Sequence, residues 1–132
     1  MTVFVDTSAL YALLDRADAN HKHAVAAWAG RLDGNEGFFT SNYVLVESFA
    51  LTQSRLGMDA VRLLQEEILP VMSIHFVDRE IHRSSVSAVL SAGRRNLSLV
   101  DCVSFETLRT LGIKTAFSFD PHFKEQGFTV IP

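Results

Sequence analysis

The segment Val3-Phe4-Val5-Asp6-Thr7-Ser8-Ala9-Leu10 decides the fold class. Its apolar run is continuous, which is typical of a strand buried on both faces in the middle of a parallel sheet. Ser8 suits a helix cap, so a helix is predicted over residues 9–14. Asp6 then lies at the carboxyl end of a buried strand, where open α/β sheets bind their ligands. The structural alternative, in which Asp6 only helps to cap the helix, is weaker because Ser8 is better placed for that.

Short apolar runs alternate with segments of helical period along the rest of the chain. Further strands are predicted at residues 37–40, 72–77, 114–119 and 128–131. Helices are predicted to begin at polar residues that suit a cap or a first turn: Asn20, Ser41, Asp59, Asp78, Ser98 and Asp120. The helix from Asp59 should end at Pro70. The pattern indicates one α/β domain over residues 1–132, a three-layer α/β/α sandwich around a mainly parallel five-stranded sheet.

Composition narrows the class of protein further. The chain has 132 residues, of which 48% are hydrophobic, so it can build a core. No apolar run approaches the roughly 20 residues of a membrane span, no signal peptide is evident, and the single cysteine, Cys102, cannot form an internal disulfide. A cytoplasmic protein is predicted. The net charge of −3 gives no overall attraction to nucleic acid, so binding a polyanion would require a local basic patch or bound cations.

Glu47 is the most informative carboxylate of the sequence. Its neighbours three and four residues away on the predicted helix are largely apolar: Tyr43, Val44, Ala50 and Leu51. A carboxylate on such a face is costly unless it meets a cation or hydrogen-bond donors. Glu47 is therefore either a metal ligand or one half of a structural salt bridge, most plausibly with an arginine.

Two further acids, Asp101 and Asp120, stand at predicted helix starts. Ser98-x-x-Asp101 resembles a capping box, and Asp120 with Pro121 makes a good cap, so each acid has a structural explanation. However, strand ends and helix starts can converge on one edge of a parallel sheet. Together with Asp6 and Glu47 they would form a carboxylate cluster, which calls for a hard divalent cation, Mg²⁺ or Mn²⁺. Such ions support phosphodiester hydrolysis.

At these residues the chain resembles the PIN-domain family, and in particular its VapC-like toxin ribonucleases. The resemblance spans essentially the whole chain and rests on residues 3–10, 41–47, 97–101 and 117–123. It implies an endoribonuclease with Mg²⁺ or Mn²⁺ held by four catalytic acids, Asp6, Glu47, Asp101 and Asp120. It also implies supporting hydroxyls at Thr7 and Ser118, a homodimer, an RNA substrate and a small antitoxin partner. Cys102 and Ser104 stand where small apolar residues are commoner in the family.

Other polar residues give weaker signals. Arg94 could hold a substrate phosphate, or it could belong to an ordinary solvated turn. His75, His82 and His122 lack a metal-like spacing to one another. Three alternatives to a toxin stay open: an RNA-processing PIN nuclease without an antitoxin, a phosphatase or phosphoacceptor domain, and a non-catalytic protein-binding module. The phosphatase would require a second acid near Asp6 or a strand-end lysine, and neither is evident.

Overall fold

A computed structural model describes residues 2–34 and 37–132, and a five-stranded parallel sheet forms its centre. The strands, in chain order, are β1 (Thr2–Val5), β2 (Gly37–Ser41), β3 (Met72–His75), β4 (Thr115–Phe117) and β5 (Thr129–Ile131). Their order across the sheet is β3-β2-β1-β4-β5, and each neighbouring pair is parallel. β1 is therefore the central strand, as its continuous apolar run predicts. The predicted α/β fold is confirmed, with a fully parallel sheet.

Helices connect the strands and flank the sheet. They are α1 (Thr7–Leu14), α2 (His21–Asp33), α3 (Asn42–Arg55), α4 (Met58–Leu63), α5 (Arg79–Ala92), α6 (Leu99–Leu111) and α7 (Pro121–Glu125). The predicted caps Ser41, Asp78 and Ser98 each accept a hydrogen bond from a backbone N–H of the first turn. No helix in the described part of the chain is long and apolar enough to cross a membrane.

Aromatic side chains join the sheet to the helices behind it. Phe4, Phe117 and Phe123 are fully buried. The Phe4 ring lies 5.3 Å from the Phe39 ring and 6.1 Å from the Phe123 ring, and Phe123 also meets Phe105 edge-on at 5.0 Å. The core thus fixes the start of α7, which follows the end of β4, against the central strand.

Four sequence predictions about local structure are wrong in detail. Asp6, not Ser8, caps α1. The helix predicted from Asp59 to Pro70 begins at Met58 and changes after Leu63 into a π turn (Leu64–Ile68) and a 3₁₀ turn (Leu69–Val71) that includes Pro70. β3 ends at His75, because the Val77 N–H donates to the Asn42 side chain. β4 ends at Phe117: the Ser118 N–H still donates to the Ile131 carbonyl, but the Phe119 and Asp120 N–H groups donate to side-chain hydroxyls.

Candidate active site

The carboxyl ends of β1 and β4 lie side by side, and this edge of the sheet carries the candidate site. The Asp6 N–H donates to the Phe117 carbonyl at 3.0 Å, which extends the β1–β4 pairing to the last residue before α1. Asp120 follows β4 and caps α7, while Asp101 lies in the first turn of α6. Long-range parallel pairing therefore brings acids from distant parts of the sequence to one edge.

Asp6 is buried, with 4% of its surface exposed. Its Oδ2 atom accepts hydrogen bonds from the hydroxyls of Ser8 at 2.8 Å and Ser118 at 3.0 Å, and a longer one from the Ser8 N–H at 3.4 Å. Burial raises the pKa of Asp6 to about 6, opposed by these hydroxyl bonds and increased further by the nearby charge of Asp101. A buried carboxylate with a raised pKa at a strand end is typical of a functional site.

The two serines around Asp6 form a hydrogen-bond network that connects the ends of β1 and β4. Ser8 Oγ accepts from the Phe119 N–H at 2.9 Å, and Ser118 Oγ accepts from the Asp120 N–H at 3.0 Å. Each hydroxyl has a single proton, and both protons can point at Asp6. The 3.2 Å approach of the two serine oxygens is then a close contact and not a further hydrogen bond. This network fixes the orientation of the Asp6 carboxylate and the position of the Asp120 backbone.

Asp101 both caps a helix and faces the other acids. Its Oδ2 accepts from the Ser98 N–H at 3.0 Å, and the Asp101 N–H donates to Ser98 Oγ at 3.1 Å, so the predicted capping box is present. Partial burial raises the pKa of Asp101, opposed by the hydrogen bond from Ser98 and increased by the charge of Asp120. A carboxylate offers about four acceptor sites, so capping leaves Asp101 able to bind a cation.

Asp120 and His122 complete a compact group with Asp101. Nδ1 of His122 lies 2.9 Å from Asp120 Oδ1 and 3.7 Å from Asp101 Oδ2. One ligand atom from each of the three residues lies within 4.8 Å of the others. The Asp120–His122 contact is within ion-pair range but is not aligned as a hydrogen bond. Within the described residues, the buried Nδ1 atom therefore has no hydrogen-bond partner.

Glu47 lies apart from this group, on an open groove of about 310 Å³. The groove is lined mainly by apolar atoms of α3 and α6, from Asn42, Tyr43, Val46, Glu47, Ala50 and Val100. Val100 directly precedes Asp101, so the groove adjoins the acidic group. Glu47 is half-buried, and among residues 2–34 and 37–132 it makes no ion pair. The alternative of a structural salt bridge with an arginine therefore finds no support there.

Two other predicted site residues make different contacts from those expected. Thr7 Oγ1 is buried and has no hydrogen-bond partner in the described part of the chain, while its neighbour Ser8 supports Asp6. Arg94 pairs on the surface with Glu125, near the end of α7.

Sequence reasoning missed two residues of the site, Ser8 and His122. The sequence pattern indicates a cap at Ser8, but a hydroxyl two residues after an aspartate also commonly bonds to its carboxylate. His122 has no metal-like spacing to the other histidines, but it stands two residues after a strand-end aspartate. The signal for both residues is therefore proximity to an acid and not a motif of their own.

Comparison with known proteins agrees with this geometry. The family model of the PIN domain matches residues 3–128. The 23S rRNA-specific endonuclease VapC20 of Mycobacterium tuberculosis is 32% identical over 130 residues, which are 98% of this chain and 97% of the relative.

Solved structures show the same fold. The crystal structure of Mycobacterium tuberculosis VapC20, described as a sarcin-ricin loop cleaving toxin, superposes with a TM-score of 0.87 at 31% identity and covers 98% of this chain and 99% of that one. VapBC2 from Rickettsia felis gives 0.73 at 10% identity, covering 98% and 97%. FitAcB from Neisseria gonorrhoeae gives 0.70 at 18% identity, covering 100% and 97%. At these low identities the last two support the fold alone.

Proposed function

The chain belongs to the PIN-domain family of nucleases, in its VapC-like branch, and we propose that it is a metal-dependent endoribonuclease whose substrate is 23S rRNA. The observation that carries the proposal is the group formed by Asp101 and Asp120. Their carboxylate oxygens come within 4.8 Å together with an unpartnered imidazole nitrogen, beside the buried Asp6. This arrangement is not expected in a module that only binds proteins, because carboxylates held this close repel one another unless a cation is bound.

The donor set fits a divalent cation. Asp101 and Asp120 supply carboxylate oxygens. Asp6 is close enough to Asp101 for the two carboxylates to interact electrostatically, and Glu47 lies on the adjoining groove. Mg²⁺ and Mn²⁺ accept carboxylate ligands of this kind. We propose Asp6, Asp101, Asp120 and Glu47 as the catalytic and metal-binding residues. When bound, the cation lowers the pKa of an attacking water and neutralises charge on the phosphodiester.

The chain's own contribution is to hold its acids in fixed orientations. Ser8 and Ser118 hold Asp6, the α6 capping box holds Asp101, and the first turn of α7 holds Asp120, whose Oδ1 accepts from the His122 N–H at 2.9 Å. Preorganised groups reduce the reorganisation needed in the transition state. We propose Ser118 and Ser8 as the supporting hydroxyls. Thr7 stays a weaker prediction, because its hydroxyl is not part of this network.

RNA binding has to overcome an overall net charge of −3. A cation held by Asp101 and Asp120 would supply positive charge at the scissile phosphate, and the groove beside Glu47 offers the Tyr43 ring for contact with a base. Arg94 stays a candidate for a phosphate contact. Its pairing with Glu125 would have to open first, which an exposed ion pair does at small cost.

We further propose that the protein is the toxin of a toxin–antitoxin pair, acts in the cytoplasm where ribosomal RNA lies, and forms a homodimer. Phe76 and Leu90 leave 72% and 76% of their surface exposed, and these large apolar side chains are our candidates for the dimer contact. Replacing Phe76 and Leu90 by serine should convert a dimer to a monomer in light scattering coupled to gel filtration. An unchanged mass would place the dimer contact elsewhere.

The deciding experiment is cleavage of purified 23S rRNA by the full chain, mapped by primer extension. We expect discrete cuts with Mg²⁺ or Mn²⁺ and none in EDTA, with 16S rRNA as the comparison substrate. Asp120→Asn should lose at least about 100-fold in rate, because even outer-shell partners of metal ligands contribute about 10–100-fold. Asp59→Asn is the matched control, since Asp59 is exposed on α4 and pairs with Arg62. Cleavage that survives both EDTA and Asp120→Asn would refute the proposal.

A further inference from the structure

His122 is placed as a ligand would be, although sequence reasoning gave it no role. The residue is 8% exposed, and its Nδ1 atom is fully shielded from solvent. That atom points into the space between Asp101 and Asp120 without an aligned hydrogen bond in the described part of the chain. A buried polar atom without a partner is unfavourable, and such an exception in a folded protein calls for an explanation such as an ion.

The backbone position of His122 is fixed by its neighbours. The His122 N–H donates to Asp120 Oδ1, so the two residues are locked together in the first turn of α7. Pro121 presets the helical backbone between them. Next to His122, the fully buried Phe123 packs against Phe4 and Phe105. The backbone that carries the imidazole therefore cannot move away from Asp101 and Asp120 without disturbing the core.

The distances suit coordination of a single ion. Six ligands at about 2.1 Å place neighbouring ligand atoms about 3 Å apart. Nδ1 lies 2.9 Å from one carboxylate oxygen and 3.7 Å from the other. A small closing movement around an ion would bring all three atoms to ligand spacing, and coordination would satisfy the Nδ1 lone pair.

We propose that His122 is a direct metal ligand and that the cluster Asp101, Asp120 and His122 selects Mn²⁺ over Mg²⁺. Mg²⁺ strongly favours oxygen ligands, whereas Mn²⁺ accepts the same carboxylates and, as a first-row transition metal, also binds an imidazole nitrogen. The inference deepens the proposed nuclease function by naming the ion that this centre prefers, and it rests on that function only for the location of the centre. The rival role for His122 is a positive charge that neutralises Asp101 and Asp120.

The two roles predict opposite results. A ligand contributes binding energy, so removing it weakens Mn²⁺ binding. A positively charged imidazole competes with the ion, so removing it strengthens binding of both Mn²⁺ and Mg²⁺. His122→Ala removes the ligand. His122→Asn places an amide oxygen near the position of Nδ1, and should equalise the affinities for the two ions because it replaces a nitrogen ligand by an oxygen ligand.

The test uses Mn²⁺ and Mg²⁺ themselves, with the metal-stripped full chain and no RNA. Pulsed electron paramagnetic resonance of the Mn²⁺ complex should show a nitrogen hyperfine coupling that changes when histidine carries the heavy nitrogen isotope. Calorimetric titration should show Mn²⁺ affinity falling at least about ten-fold in His122→Ala with a smaller change for Mg²⁺. His23→Gln, which removes an exposed imidazole of α2, is the matched control.

The spectrum of the unmodified protein decides the matter even if His122→Ala fails to fold. Bound Mn²⁺ without nitrogen coupling, or tighter metal binding in a folded His122→Ala, would overturn the inference. In either case RNA cleavage that still depends on Asp120 would leave the proposed function standing. A protein that binds Mg²⁺ but no Mn²⁺ would overturn the inference alone, and one that binds neither ion would overturn both.

Discussion

Ser118 donates a hydrogen bond of 3.0 Å to Asp6 Oδ2, across 112 positions of the sequence. The same serine oxygen accepts from the Asp120 N–H at 3.0 Å. One hydroxyl therefore connects the acid that follows β1 with the acid that follows β4. The relationship makes Ser118 a positioning residue, because it orients the Asp6 carboxylate and holds the backbone of Asp120 without itself carrying negative charge.

Ser118→Ala should therefore affect both stability and metal binding. It leaves the Asp120 N–H and one acceptor site of Asp6 without a partner, which costs about 1–3 kcal/mol in the free energy of unfolding. The affinity for Mn²⁺ or Mg²⁺ should fall about 10-fold or more, as for other outer-shell partners. Chemical denaturation and calorimetric metal titration measure the two effects. Ser87→Ala, on the exposed side of α5, is the control and should change neither.

Asp6→Asn should stabilise the metal-free protein at neutral pH. The pKa of Asp6 is raised from 3.8 to about 6, mainly by burial. The folded state thus holds this proton more tightly, so its stabilising effect is complete below pH 3.8 and is lost as pH rises to about 6. Asparagine avoids the charge while still accepting from Ser8 or Ser118. Its advantage should grow to roughly 3 kcal/mol by pH 7, the equivalent of this pKa difference.

Urea denaturation in EDTA between pH 4 and pH 7.5 measures this difference between Asp6→Asn and the unmodified protein. With saturating Mg²⁺ or Mn²⁺ at pH 7, the unmodified protein should become more stable than Asp6→Asn, because only the unmodified protein gains the full free energy of metal binding. A difference that does not vary with pH would contradict the assignment of the raised pKa to Asp6. Asp59→Asn, at an exposed position, supplies the reference.

The sequence predicted the parallel sheet and most helix starts, because their signals are local. The continuous apolar run Val3-Phe4-Val5 is enough to indicate a strand that is buried on both faces. Each of the caps Ser41, Asp78 and Ser98 accepts from an N–H of its own first helical turn. Predicted strand ends were wrong where a distant side chain intervened. The Asn42 side chain takes the Val77 N–H away from β3, which the residues around Val77 do not reveal.

The acidic site was predictable only in part for the same reason. Asp6 and Asp120 could be placed at one sheet edge because each follows a predicted strand of a parallel sheet. The role of Ser8 depends on β4 lying next to β1, and that of His122 depends on how α7 packs near α6. These are contacts between residues more than 20 positions apart or in different elements, so neither periodicity nor capping preference contains them.

Capping and metal binding by Asp101 can be separated by two substitutions. Ser98→Ala removes the cap of α6 and should lower stability by about 1 kcal/mol while leaving Asp101 charged. Asp101→Asn keeps an oxygen that can accept from the Ser98 N–H, so it should fold normally but lose metal affinity. Thermal unfolding with and without Mn²⁺ measures both. If Asp101→Asn kept the full metal-induced shift in Tm, Asp101 would be a cap and not a ligand.

Glu47→Gln tests whether the acid on the groove belongs to the metal centre. Glu47 makes no ion pair within the described residues, so the substitution leaves no buried partner charge behind. We therefore expect the Tm in EDTA to stay unchanged, while the Tm increase caused by Mg²⁺ or Mn²⁺ becomes smaller and RNA cleavage falls. The exposed Glu66→Gln serves as the matched control. A clear loss of Tm in EDTA would instead indicate that Glu47 stabilises the fold, and an undiminished metal response would remove it from the ligand set.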